Sequence, residues 1–404
     1  MKKYTKLVAA VLAFCSVSAI AHAASYQLND YSVTGLGRSY AGLGVVGDDY
    51  SAIAYNPAGM TLKDRSGAQQ VVNLIGVTSK VRSLETNEKA HMKFWQTVPA
   101  GFVQYNVNDR FKIGGGIYAP FGLKTKYKAD WFGNEHAILS KLDIVDFNVS
   151  AAYKLTDKLS LGASAILRYI YGRMTQKAPA MMGGADINFN VHGWSQTGTL
   201  GLMYEFTKDT RVGVSYRLRS AQKANGRFKV GAPVNMGADV HANPDLPETV
   251  TFSAYHRIHD FGLSGTARWT HWTSSFPDFS IRSPLIPGGE KKSYYKYQNT
   301  WTLAAGVDYY MNENLTLRAG VAYDESPTHK PDRRTYRIPD SDRRWMSVGA
   351  SYAMENWQFD AGYALLLAKT SKATAEALVP GAAPTAKFKD TRSHILGVQV
   401  QYMF

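Results

Sequence analysis

Apolar and polar residues alternate one for one through most of this chain. Leu159, Leu161, Ala163, Ala165, Leu167, Tyr169 and Tyr171 share one face of a run, against Ser160, Gly162, Ser164 and Arg168. Val145, Phe147, Val149, Ala151, Tyr153 and Leu155 oppose Asp146, Asn148, Ser150 and Lys154. At the C-terminal end Leu396, Val398, Val400, Tyr402 and Phe404 oppose Gly397, Gln399 and Gln401. A period of two puts successive side chains on opposite faces of a β-strand. The pattern predicts strands at 67–79, 96–106, 110–119, 142–154, 158–171, 194–206, 210–220, 247–257, 260–273, 297–310, 313–324, 343–354, 357–368 and 392–404. That is about 14, an even number, as a closed antiparallel ring requires.

The breaks between strands alternate in kind. Asn106-Val107-Asn108-Asp109, Thr156-Asp157-Lys158, Thr207-Lys208-Asp209, His259-Asp260, Met311-Asn312-Glu313-Asn314 and Glu355-Asn356 are tight, and a longer Gly-, Pro- and Lys-rich excursion lies between each pair. Outer-membrane barrels have this rhythm, with short periplasmic turns and longer outer loops. A water-soluble sandwich also alternates. Three features favour the membrane: several runs exceed the ~10 residues a tilted spanning strand needs, aromatics recur near strand ends, and the chain stops on Phe404 within its last strand. The expected fold is therefore all-β, a 14-stranded antiparallel transmembrane β-barrel. A terminal Phe also resembles the signal read by the barrel assembly machinery.

The first residues do not belong to the barrel. Met1-Lys2-Lys3 is basic, residues 7–20 are apolar, and Ala21-His22-Ala23 follows. These are the parts of a secretory signal peptide, assigned to residues 1–23. The single cysteine, Cys15, leaves with it, so neither disulfides nor thiol chemistry are available to the mature chain. Residues 24–66 do not alternate. They carry Gly35, Gly37, Gly42, Gly44, Gly47, Gly59, Asp48, Asp49 and Asn56-Pro57, a composition of turns and short helices. We expect a small helical and irregular hatch inside the lumen, with residues 67–404 as the barrel.

The chain has 25 Tyr and 8 Trp, which suit interfacial girdles. Its net charge of +14 suits lipopolysaccharide and anionic ligands. No nucleic-acid motif is present and the chain is exported, so nucleic acid is not a partner. Its histidines are scattered, without a nucleophile motif, metal-ligand spacing or phosphate-binding loop. No enzyme activity and no cofactor are expected.

Two sets of residues are candidates for a site. The third strand contains Gly114, Gly115, Gly116, Pro120 and Phe121. Glycines weaken pairing and Pro lacks a ladder donor, so a gap in the wall is expected there. By parity Arg168 faces inward between Ile166 and Ile170, and Lys296 faces inward by the register of Trp301, Leu303 and Val307. An apolar sleeve with a cation suits an amphiphile, and Arg168 and Lys296 are the candidate carboxylate partners. Lumen carboxylates such as Asp146, Asp308 and Asp324 are the competing partners of these cations. Two long loops, 172–193 and 221–246, are candidates for an outer capture groove.

Five stretches carry a family resemblance. Gly35-Leu36-Gly37-Arg38-Ser39-Tyr40-Ala41-Gly42, Asp48-Asp49, Asn56-Pro57-Ala58, Ala322-Tyr323-Asp324-Glu325-Ser326-Pro327 and Ile338-Pro339-Asp340-Ser341-Asp342-Arg343-Arg344-Trp345 occur in the order and spacing of the long-chain fatty acid transporter (FadL) family. The resemblance covers essentially the whole mature chain. It implies a monomeric barrel blocked by its N-terminal hatch, capture of a hydrophobic molecule at outer loops, and an internal pocket. It further implies passive lateral exit at a kink in the third strand, facing the Asn-Pro-Ala turn. Long-chain fatty acids are the expected ligands, with aromatic hydrocarbon uptake or general diffusion as alternatives. The family's basic pair aligns with Met174 to Gln176 and with Gln298, which are not basic. Arg173, Lys177 and Lys296 stand nearby, and that displacement keeps neutral hydrophobic ligands open.

Overall fold

The computed structural model describes residues 26–180, 183–274, 279–284, 288–293, 296–328, 330–374 and 384–404. The expected signal peptide lies outside them. Fourteen antiparallel strands form the wall. They are β1 (Gly67–Ser83), β2 (Lys89–Asn106), β3 (Phe111–Lys126), β4 (Leu139–Lys154), β5 (Leu159–Lys177), β6 (Asp186–Thr207), β7 (Thr210–Arg217), β8 (Thr249–Ile258), β9 (Phe261–Thr270), β10 (Thr300–Tyr310), β11 (Leu315–Asp324), β12 (Arg343–Met354), β13 (Trp357–Ala368) and β14 (Thr385–Met403). Each pairs with the next in sequence, and β14 returns to β1 from Gly67↔Met403 to Ser83↔Ala386, closing the ring.

The solvation pattern is inverted relative to a soluble protein. Outward positions are apolar and exposed, among them Val149, Trp194, Leu200, Phe252, Leu303, Val321, Val348 and Val398. Inward positions on the same strands are polar and buried: Gln69, Asn73, Gln104, Asp146, Asn148, Ser150, Arg168, Arg217, Arg268, Asp308, Arg318 and Asp360. Such a belt is stable only against lipid. Among the described residues no helix is long and apolar enough to cross a membrane.

The strands run further at the loop end than hydrophobic alternation indicated. β2 starts at Lys89, β6 at Asp186 and β14 at Thr385. Much of the expected loop 172–193 is therefore ladder. The expected loop 221–246 contains a hairpin, Ala224–Val230 with Met236–Ala242, docked on the top of β6. Above the lipid the alternation inverts: Lys89, His91, Lys93, Asn190 and His192 are exposed while Met92, Phe94, Phe189, Val191, Ala386 and Phe388 are buried, so the ladder continues where an apolar outer face has stopped.

Residues 26–66 lie inside the ring. Ser32 caps helix α1 (Val33–Gly37) by accepting from the Gly35 amide at 2.8 Å. Helix α2 (Ala52–Tyr55) runs into a 3-10 turn (Pro57–Leu62), whose cap Asn56 accepts from the Ala58 amide at 3.1 Å. Pro57 at the first helical position has no N–H to leave unsatisfied. The wall receives this segment over glycines. A Cβ on Gly162 of β5 would fall 2.3 Å from the Ala58 nitrogen, and one on Gly320 of β11 2.2 Å from the Arg38 carbonyl carbon.

Candidate functional site

The internal segment is fixed to the wall by charge. Arg38 Nη1 donates to Asp48 at 2.7 Å and to Asp308 of β10 at 3.0 Å. Arg318 of β11 reaches the same carboxylates, Asp48 at 3.1 Å and Asp308 at 3.0 Å. Two guanidiniums and two carboxylates thus alternate, half from the hatch and half from the wall. Burial raises the Asp48 carboxyl, but Arg38 and Arg318 outweigh it and hold the group well below the usual carboxylate range. A depressed carboxylate contributes its stability above its unfolded pKa and loses it only as pH falls through the folded value. The Asp48 carboxylate therefore stays charged throughout the neutral range.

On the opposite side the wall is open. β2 and β3 pair only from Gly101↔Ile117 to Asn106↔Lys112. Beyond Ile117, β3 continues to Lys126 on β4 alone, while β2 continues back to Lys89 on β1 alone. The cause is local. Tyr118 pairs with Asp146 and Phe121 with Ile144, so Ala119 and Pro120 together oppose one residue of β4. Such a bulge bends its strand, and Pro120 offers no N–H. Pro99 stands on the facing edge of β2. The extra residue also shifts phase: Lys112, Gly116 and Tyr118 are buried before it, Phe121, Leu123 and Thr125 after it. Alternation read from sequence therefore ended at residue 119.

Residues 26–28 fill the seam. The Leu28 amide donates to Pro120 O at 2.8 Å, the Gly122 amide donates to Tyr26 O at 2.7 Å, and Gln27 bridges to Phe121. Tyr26 packs on Phe121 and on Trp272, with centroids 5.9 and 5.1 Å apart. Lys124 spans to β2, donating to Gln96 at 3.1 Å.

The sequence-derived candidates separate here. Gly114, Gly115 and Gly116 lie in fully paired wall, below the opening. Gly114 gives room to Ile53 and Met60 of the hatch, and Gly116 to Phe102. Pro120 and Phe121 form the opening itself. The resemblance places the Asn-Pro-Ala turn opposite the kink. Instead, Asn56, Pro57 and Ala58 pack on Gly162, Gly201 and Gly213 of β5 to β7, and Asn56 donates to Leu202 O at 3.2 Å. Residues 26–28, which carry no recognisable motif, face the kink.

Ile166, Arg168 and Ile170 point inward and are buried, but Arg168 is committed. Its Nε and Nη2 donate to the two oxygens of Asp146 at 2.6 and 2.9 Å, and Arg217 shares that carboxylate at 3.4 Å. Lys296 was expected to face inward and does not. It is exposed, has φ of 46°, and precedes β10, which begins at Thr300. Strand parity cannot be carried across residues 296–299, which form no ladder. Arg173 is exposed on the outer face of β5, and Lys177 pairs with Asp186 at 2.8 Å. These three cations therefore lie away from the inward Arg168, Ile166 and Ile170. Arg168→Ala is expected to act on stability. It removes the bidentate partner of a buried carboxylate, which costs about 3–5 kcal/mol. A lowered urea midpoint with unchanged oleate affinity in titration of the folded barrel is the expected result.

A cation that sequence reasoning passed over lies elsewhere. Residues 338–341, on the way into β12, fold across the mouth and leave a small cleft of about 40 Å³ against the inner wall. Met92, Leu123, Ile338, Leu366 and Phe388 give it apolar walls, and Arg343 lines it. Arg343 Nη2 donates to Asp340 at 2.6 Å, and Nε points to Ser341 O at 3.4 Å. Its Nη1 is buried without a hydrogen-bond partner. The residue sits in the Ile338 to Trp345 motif, and parity would have turned it inward once β12 was placed. Among the described residues no group of three His, Asp or Glu side chains could hold a metal.

Comparison with known proteins agrees with this geometry. The profile of the family described as outer membrane protein transport protein (OMPP1/FadL/TodX) matches residues 14–404. A long-chain fatty acid transport protein of Escherichia coli O6:H1 is 28% identical, over 99% of both chains. Outer membrane protein P1 of Haemophilus influenzae is 27% identical, over 91% of both. Among solved structures, a Pseudomonas aeruginosa FadL homologue superposes with a TM-score of 0.84 at 26% identity, covering 94% of this chain and 99% of the other. The toluene transporter TodX of P. putida gives 0.71 at 17%, covering 88% and 94%.

Proposed function

Because this chain belongs to the OMPP1/FadL/TodX family, an outer-membrane transporter of hydrophobic molecules and not an enzyme, we propose that it carries long-chain fatty acids from the loop end into the lumen and releases them sideways through the β2–β3 seam. The observation that carries this reading is the seam. The ladder between two neighbouring strands stops half-way, on two prolines and a bulge, and the gap is stopped by residues 26–28 of the same chain. Main-chain bonds to an edge strand are easily exchanged, so this stopper is the part of the hatch built to move. The rest is held by the Arg38, Asp48, Asp308 and Arg318 quartet. No energy source is required, because an apolar molecule gains by passing from water to lipid.

Several relatives are named for long-chain fatty acid transport, which favours that class over aromatic hydrocarbons. Insertion through the terminal Phe404 and contact of the basic outer rim with lipopolysaccharide belong to the same reading. Cells lacking their own transporter should grow on oleate when they express this chain. Proteoliposomes containing it should not swell in small sugars. Rapid swelling without oleate uptake would make the protein a general diffusion pore and sink the proposal.

A further inference from the structure

We propose that the outward face of β14, β1 and β2, just above the lipid belt, binds the phosphorylated sugar head group of an outer-leaflet glycolipid. This site rests on the lipopolysaccharide contact named above, and not on what the barrel carries. The ladders fix which side chains stand abreast. Arg392, Thr78 and Lys93 form one row, Lys389, Lys80 and His91 the next, and Lys387, Arg82 and Lys89 the third. Seven of these nine positions are Lys or Arg, and all nine are exposed except the half-exposed Lys387. Strands lie about 4.8 Å apart and alternate residues about 7 Å apart along a strand, so the grid spans roughly 10 by 14 Å. A bulge completes its β14 edge. Lys389 pairs with Lys80 and Arg392 with Thr78, so Asp390 and Thr391 together stand against Ser79. Asp390 takes up the extra residue with a φ of 51°. Without it, a period of two would turn Lys389 inward wherever Arg392 faced out.

Like charges abreast destabilise a sheet, and the protein's own acids offset little of this array. Among the described residues Lys80 alone of these cations has a carboxylate partner, Asp390 at 2.8 Å. Glu85 and Glu88 belong to the loop above and bond to the Thr385 amide, Ser83 and Thr86. Several phosphates on one rigid head group complement such a grid, where a single carboxylate would meet one or two of its cations. The rows below make it a site for a lipid. Trp95 lies over Gly76, where a Cβ would fall 2.6 Å from the ring, and Leu74 and Leu396 follow side by side, exposed. A Trp at this height marks the membrane interface. Acyl chains therefore run down past Leu74 and Leu396 while the phosphates meet Lys93, Arg392 and Lys389. Attraction of this kind fades within a Debye length, so cations at the edge of the belt are the ones that count.

The test titrates the full-length barrel in detergent, at fixed salt, with diphosphoryl lipid A, monophosphoryl lipid A and inorganic pyrophosphate. Heat-modifiable mobility checks folding. Wild type should bind the diphosphoryl lipid more tightly than the monophosphoryl one. Lys93→Gln, Lys389→Gln and Arg392→Gln combined should weaken the diphosphoryl lipid roughly a hundredfold, about fivefold for each cation. Arg110→Gln, Lys158→Gln and Lys208→Gln combined remove the same charge from exposed positions at the opposite end of the barrel, and should stay within about twofold of wild type. Equal affinity for the two lipids, or for wild type and the first variant, overturns the site. Parallel loss in both variants overturns it too, because net charge alone would then govern binding. Pyrophosphate bound as tightly as lipid A would make the grid a free-phosphate site and overturn the lipid assignment. Should the first variant not fold, Lys389→Gln alone is expected to lose about fivefold, and unchanged affinity there overturns the site equally. Wild type that binds no lipid A would remove the lipopolysaccharide contact itself, and fatty acid transport stands in every one of these cases.

Discussion

Deletion of Pro120 is expected to abolish uptake while leaving a folded barrel that still binds ligand. At present two residues, Ala119 and Pro120, oppose one on β4. Removing one of them restores one-to-one pairing, with Ala119 outward beside Val145 and Phe121 inward beside Ile144. Because the bulge already shifts the phase, Phe121, Leu123 and Thr125 keep their inward faces, and no side chain of the cleft changes side. What changes is the edge. β3 straightens toward β2, its amides become available to the Val98 to Ala100 stretch, and the bonds from residues 26–28 to Pro120 and Gly122 lose their place. Oleate should then bind the purified variant as it binds wild type, yet uptake by cells should fall to background. Uptake that survives in a verified barrel would show that the exit is elsewhere.

Gly162→Val is expected to open the pore by lifting the hatch. The new Cβ would stand 2.3 Å from the Ala58 nitrogen and 2.4 Å from the Pro57 carbonyl carbon, both main-chain atoms that cannot swing aside. Accommodating such overpacking in place costs about 1–3 kcal/mol. Displacing the Asn56 to Ala58 turn relieves it, at the loss of the Asn56 bond to β6. Proteoliposomes of this variant should swell in small sugars that the wild type excludes. Gly265→Val is the control, since its Cβ would meet nothing closer than Ala304 O at 3.9 Å. Equal, slow swelling in both would mean that the hatch seals the bore without resting on this glycine.

The number of strands, their faces and the six tight turns were legible because the lipid imposes one strict rule: every second residue must be apolar. Where the rule lapses, so did the reading. The tops of β2, β6 and β14 continue above the lipid with the pattern inverted, polar residues such as His91, Lys93, Asn190 and Lys389 exposed and apolar ones such as Met92, Phe94, Phe189, Val191 and Phe388 buried. The phase shift after Pro120 looked like the end of a strand. Glycines of the third strand drew attention to the right strand at the wrong level, because Gly114 and Gly116 make room for neighbours and do not break pairing. Arg168 was placed correctly by parity, and Asp146, one of the competing carboxylates that the sequence offered, stands directly opposite it in the β4–β5 ladder and takes it. Lys296 failed because parity was carried through residues with no ladder. Arg343 was in view within a quoted motif. Its significance depends on a cleft made by segments far apart in the chain, and no local pattern reports that.

The return of β14 to β1 also constrains how the molecule is made. Every other wall contact joins strands that are neighbours in sequence, and this one joins the two ends of the barrel, so it is the slowest to form. Residues 26–66 are continuous with β1 and precede it. If the ring zipped first, they would have to enter through a mouth crossed by residues 338–341 or past the turns at the other end. Tucking in before the last zipper closes avoids both. The leader is thus a workpiece that the assembling cylinder wraps around, and a detached copy of it offered to a finished, leaderless cylinder has no simple way home.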